Sequence, residues 1–197
     1  MTQPQPQVVL LFGRPGVGKL TVGRELAART SYRLLHNHAV VDLAETLFAF
    51  GSPPFVAMRE RLWLQAVDAV LAESLPGLIL TFAPERTVSD HFLADLADHV
   101  ENGGSRLRMV ELVCSSEQLE LRLLDPSRKA FGKLRDPERY RQSEANGDYD
   151  RPVMPTAEIT VDTSEMSAAE AALRIVDGVS TSADGVPTQQ AFGAGSL

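Results

Sequence analysis

Residues 13–21 read Gly-Arg-Pro-Gly-Val-Gly-Lys-Leu-Thr, directly after the continuous apolar run 8–12 and directly before a segment, 20–30, with Val22, Leu26 and Ala27 on one face. No other stretch constrains the chain as strongly. The spacing Gly13-x-x-x-x-Gly18-Lys19 between a buried strand and a helix is that of a phosphate-binding loop. Glycines let the backbone curl so that successive N–H groups face inward. The helix start adds the positive end of its dipole, and a lysine neutralises phosphate charge. Gly13, Arg14, Gly16, Val17, Gly18, Lys19, Leu20 and Thr21 are therefore the expected phosphate-binding residues.

One position departs from the motif. The residue after the lysine is ordinarily Ser or Thr, whose hydroxyl binds Mg²⁺, and here it is Leu20, with Thr21 one place later. The third apolar run, 78–83, does not end in the aspartate that often completes the metal site; Thr81, Glu85 and Arg86 are the nearest polar groups. No residue is assigned as a direct metal ligand, so Mg²⁺ is expected to be held by phosphate oxygens and water. Neither Asn-Lys-x-Asp nor Leu-Ser-Gly-Gly-Gln occurs, which removes support for GTPase and transporter-ATPase readings.

Further strands are expected at 33–36, 78–83, 106–114 and 156–161. Helices are expected at 20–30, 39–50, 55–74, 89–100 and 117–124, with a last one ending near 179. Ser115-x-x-Gln118 and Ser167-x-x-Glu170 read as capping boxes. Alternation of strands with helices predicts an α/β fold, a three-layer α/β/α arrangement around a five-stranded parallel sheet. With 197 residues, one domain over 8–179 is expected, between a loose tail at 1–7 and a disordered tail at 180–197.

Composition narrows the function classes. Apolar residues at 44% and charged residues at 23% exclude wholesale disorder and coiled coil. A net charge of −7 argues against nucleic-acid and membrane partners. The start, MTQPQPQ, lacks a basic and then apolar leader, so a cytoplasmic location is expected. The single cysteine, Cys114, cannot form an internal disulfide and sits in an apolar run, where it reads as a core thiol. Charge is also unevenly spread: residues 126–141 hold six cations and two anions, against 13 and 24 in the rest of the chain.

The Gly-Lys-x-Thr loop, the order of elements from 8 to 179 and the basic island resemble the small P-loop kinases of the adenylate kinase and shikimate kinase group. That resemblance implies ATP and Mg²⁺ as cofactors and a P-loop kinase type of fold. It also implies an arginine-rich lid at about 125–152, with Arg122 and Arg128 as phosphate-contacting residues, Thr21 near the α-phosphate and 162–164 bordering the adenine. The acceptor is expected beyond the second strand, where HNHAVVD occupies 36–42. His36 and His38, two apart on an extended segment, would share a face. Either could take a hydroxyl proton, and Asp42, one helical turn beyond His38, could orient it. Arg59 and Arg86 could hold an anionic acceptor, although a cation on a long amphipathic helix is more often solvated. Lys19, Arg128, His38 and Asp42 are the catalytic candidates, and His36, His38, Arg59 and Arg86 the acceptor-binding ones. The expected function is transfer of the γ-phosphoryl group of ATP to a small hydroxylated molecule. The alternatives are a nucleoside monophosphate kinase and a regulatory ATPase, and the oligomeric state is left open.

Overall fold

The computed structural model describes residues 6–73, 75–126 and 134–181. Strand β1 is Gln7–Phe12, an apolar β-branched run buried from Val8 onward. It pairs in parallel with β3 (Gly77–Phe82) on one side and with β4 (Arg106–Val113) on the other. Beyond β3 lies β2 (Arg33–His36), and beyond β4 lies β5 (Ile159–Asp162), so the order is β2-β3-β1-β4-β5, parallel throughout.

Alternate residues of the central strands feed two cores. Val8, Leu10, Phe12, Leu78, Leu80 and Phe82 face one layer, which holds helices α2 (Asn37–Glu45), α3 (Pro53–Ala72) and α4 (Phe92–Asn102). Trp63 of α3 anchors that layer, with its ring 5.4 Å from Phe82 and 5.1 Å from Phe92. Val9, Leu11, Ile79, Val110 and Leu112 face the other layer, built from α1 (Lys19–Thr30), α5 (Ser116–Leu123) and α7 (Ala168–Thr181). The three-layer α/β/α fold with five parallel strands is as predicted. No described helix is long and apolar enough to cross a membrane.

The differences are local. Helix α2 begins at Asn37 and ends at Glu45, earlier at both ends than the predicted 39–50. Within the expected lid, 137–145 is a further helix, α6 (Pro137–Ala145), capped by the Asp136 carboxylate accepting from the N–H groups of Glu138 and Arg139. Only Tyr140 of α6 is buried, and it stacks on Tyr149 at 5.6 Å. Apolar periodicity could not reveal a helix with a single buried residue. The predicted tails fall mostly on 1–5 and 182–197, and the lid cations Arg128, Lys129 and Lys133 on 127–133, all outside the described residues.

Candidate active site

A cleft of about 560 Å³ opens over the carboxyl ends of the strands. At its centre is the loop joining β1 to α1. Gly13 has φ 144°, and a Cβ there would lie 2.3 Å from the Leu112 carbonyl oxygen, so no other residue fits without moving β4. Gly18, at φ 98°, caps α1 without any side-chain hydrogen bond, and no acidic residue occupies the first turn of that helix. The start of α1 thus carries neither a capping side chain nor a carboxylate of its own first turn at the positive end of the dipole, which is the chemistry of an anion site. Lys19 folds over the loop, Nζ donating to the carbonyls of Gly13 (2.6 Å) and Arg14 (2.8 Å).

One end of the cleft is organised by Thr163, which is 3% exposed just past β5. Its hydroxyl accepts from Arg122 Nη1 (3.0 Å) and lies within donating distance of the carbonyls of Val17 (2.9 Å) and Val113 (3.1 Å). The carbonyl of Thr163 also accepts from Arg122 Nη2. Arg122 of α5 is thereby held beside the phosphate loop; a Cβ built on Gly18 would sit 4.0 Å from its Nη1. Leu134, Met166 and Ala168 complete this end with apolar surface. Of 162–164 only Thr163 faces the cleft. Asp162 turns to a neighbouring groove, where the hydroxyl and N–H of Ser164 bond its carboxylate and hold it below the usual carboxylate range.

The opposite end is built by the turn from β2 into α2. His36 pairs in register with Thr81 and caps α2, its Nδ1 accepting from the N–H of Ala39 (3.3 Å). The Thr81 hydroxyl accepts the N–H of Asn37 at 3.0 Å, pinning the turn to β3. His38 is already helical, which corrects the expectation that an extended segment aligns the two imidazoles. Both still line the cleft, because the strand-to-helix turn brings them together there with Asp42 one turn further on. Glu45, Phe50 and Glu85 line it as well.

The two arginines predicted to hold an acceptor lie elsewhere. Arg59 is 1% exposed, not solvated, and is absent from the cleft lining. Its Nη1 donates to Glu85 (2.5 Å) and Thr87 Oγ1 (3.0 Å), its Nη2 donates to the Thr87 carbonyl (2.8 Å), and its guanidinium lies over the Phe55 ring at 5.2 Å. Arg86 is exposed and pairs with Asp148 at 3.1 Å. Arg14 likewise points away from the cleft, paired with Glu144 and Asp150 on the α6 side.

Residues that sequence reasoning did not place in the site include Asn37, Glu45, Phe50 and Asp125, all lining the cleft. Asn37 Oδ1 is buried without a hydrogen-bond partner. Asn37 and Glu45 were discoverable in principle as neighbours of the two histidines. Phe50 and Asp125 carried no motif.

No family model matches the sequence, and no curated protein matches it. Solved structures match the fold. The chain is similar to the APS kinase of Mycobacterium tuberculosis in complex with AMPPNP and APS, with TM-score 0.62 and 18% identity over 90% of this chain and 99% of that one. It is similar to the shikimate kinase of Acinetobacter baumannii in complex with shikimate, with TM-score 0.57 and 19% identity over 89% and 93%. A gluconokinase of Sinorhizobium meliloti 1021 matches with TM-score 0.56 and 19% identity over 91% and 94%. The chain has the fold of these small P-loop kinases.

Proposed function

We propose that the protein is an ATP-dependent phosphotransferase acting on the hydroxyl of a small molecule. The single observation that carries this reading is the cleft itself, in which an open helix N-terminus with Lys19 faces a pair of imidazoles and a carboxylate, His36, His38 and Asp42. ATP phosphates would lie on the α1 start and Lys19, with Arg122 beside them and the adenine toward Met166 and Ala168. The solved APS kinase of the same fold is in complex with AMPPNP, which supports ATP as the nucleotide.

In the transfer, the acceptor oxygen forms a bond to the γ-phosphorus while the bond from that phosphorus to the ADP oxygen breaks. The hydroxyl proton passes to His38. Lys19 and Arg122 balance the charge on the transferring oxygens; such positioning and charge stabilisation supply most of the catalysis in phosphoryl transfer. Bound Mg²⁺ would neutralise charge between phosphates. Among the described residues no group of three or more His, Cys, Asp or Glu is arranged to hold a metal, and Leu20 has no hydroxyl, so phosphate and water are its fitting ligands.

Lys19→Ala tests the reading. The side chain lies on the loop and not in the core, so the variant should fold normally, while calorimetry should show loss of Mg-AMPPNP affinity on the order of 10²-fold. Unchanged affinity would refute the phosphate-loop assignment.

A further inference from the structure

Among the described residues, every cation that lines the cleft sits at its phosphate end: Lys19 on the loop and Arg122 against Thr163. The acceptor end is lined by three carboxylates, Asp42, Glu45 and Glu85, and by the half-exposed Phe50, whereas Asp125, just past α5, is the one carboxylate of the lining on the other side. Of the two arginines expected to hold an acceptor, Arg59 is buried behind this end and bonded to Glu85, whose charge it balances, and Arg86 is paired with Asp148.

The carboxylates differ in kind. Glu85 is fixed, because Arg59 Nη1 (2.5 Å) and Thr87 Oγ1 (2.8 Å) both donate to its Oε1, leaving Oε2 outside that pairing. Asp42 and Glu45 have no ion-pair partner among the described residues and stand three apart on α2. Like charges at that spacing repel, and a cation between them would relieve the repulsion. An aromatic face next to carboxylates is also a favourable surround for an ammonium group. An anionic acceptor would meet Asp42 and Glu45 with no described cation lining its own end of the cleft, since Arg59 is buried and bonded to Glu85.

We propose that the acceptor is a hydroxyl-bearing amine, a small molecule with at least one ammonium group, as in an amino sugar or an amino alcohol. The inference rests on the phosphotransferase reading and names its substrate class. The hydroxyl would face His38 and the phosphate loop, and the ammonium group would face Asp42, Glu45 and Phe50.

The test uses the full chain loaded with Mg-AMPPNP, followed by backbone amide NMR, and two matched series of probes. One is glucosamine, glucose and gluconate; the other is 1-amino-2-propanol, 1,2-propanediol and lactate. In each series the amine should shift the amides of 36–45 and 81–85 at concentrations at least about tenfold lower than the carboxylate does, with the neutral member between. Added salt should narrow the preference, and Glu45→Gln should reduce it by about threefold. Equal or tighter binding of the carboxylates there, amine shifts confined to other regions, or an unchanged preference in Glu45→Gln would each overturn the proposal. The nucleotide reading is scored separately in the same spectra: absence of AMPPNP shifts at 13–21 would overturn that reading whatever the probes do.

Discussion

Arg59 shows how much one side chain decides in this protein. It is 1% exposed on α3, bonded to Glu85 and Thr87, and stacked near Phe55 and Trp63. Truncation would strand a carboxylate and a carbonyl and leave a void beneath two rings. Arg59→Ala should therefore cost about 3–5 kcal/mol, toward the lower end because Glu85 is a quarter exposed and water recovers part of its solvation. Arg59→Met, which fills the volume, should recover part of that loss. Urea unfolding of the three proteins measures it, and a cost below about 0.5 kcal/mol would mean the arginine behaves as a surface cation. Helical periodicity could not foresee this role, because spacing alone assigns a cation to solvent and its partners stand 26 and 28 residues away. Lys19 was legible for the opposite reason: the carbonyls it bonds, of Gly13 and Arg14, belong to the same nine-residue motif.

At the scale of elements, strands and capped helices were the legible part. The Ser167–Glu170 box forms in both directions, Ser167 Oγ accepting from the Glu170 N–H (3.2 Å) and Glu170 accepting from the Ser167 N–H (2.9 Å). Ser115 accepts from the N–H of Gln118 at 3.3 Å, and its own N–H donates to Ser164 Oγ at 2.8 Å. This last bond was not legible, since it joins the ends of two strands 49 residues apart. It places Ser164 between β4 and β5, where the Ser164 hydroxyl and N–H depress the Asp162 carboxyl. A carboxyl with a lowered folded pKa adds stability that is complete above its unfolded value and is lost as pH falls through the folded value. Ser164→Ala should raise the Asp162 pKa and shrink that contribution, so the difference in Tm between pH 7 and pH 3 should be smaller than in the parent protein. An equal or larger difference would contradict the assignment. Helix α6 escaped sequence reading because polar ties hold it: the Asp136 cap and the pairing of Arg141 with Glu120 at 2.7 and 2.8 Å.

Over the whole molecule, the strand order places β1 between β3 and β4, so the loop after β1 lies at the middle of the carboxyl edge, flanked by the ends of both neighbours. Open parallel sheets bind ligands in that crevice. The turn after β2 reaches it through β3, by way of Thr81 and Asn37, and the turn after β5 reaches it through β4, by way of Thr163 and Val113. The β5 end is also tied to the loop directly, by the Thr163 hydroxyl donating to the Val17 carbonyl at 2.9 Å. The charge pattern follows the same geometry: among the described lining residues, Lys19 lies on the central loop, Arg122 and Asp125 lie on and just past α5, and Asp42, Glu45 and Glu85 line the β2–β3 end.

The proposed reaction of this cleft is the passage of a phosphoryl group from ATP to an organic hydroxyl. Its most direct test follows the γ-phosphorus of ATP by ³¹P NMR, with wild type and His38→Ala each incubated with Mg²⁺ and a panel of neutral, amine-bearing and carboxylate-bearing hydroxyl compounds. A phosphomonoester should appear with wild type only when an acceptor is present. That signal should grow on the order of 10²-fold more slowly with His38→Ala, whose Mg-AMPPNP affinity is kept. Phosphorus appearing solely as inorganic phosphate, at a rate indifferent to every acceptor and to His38, would contradict it.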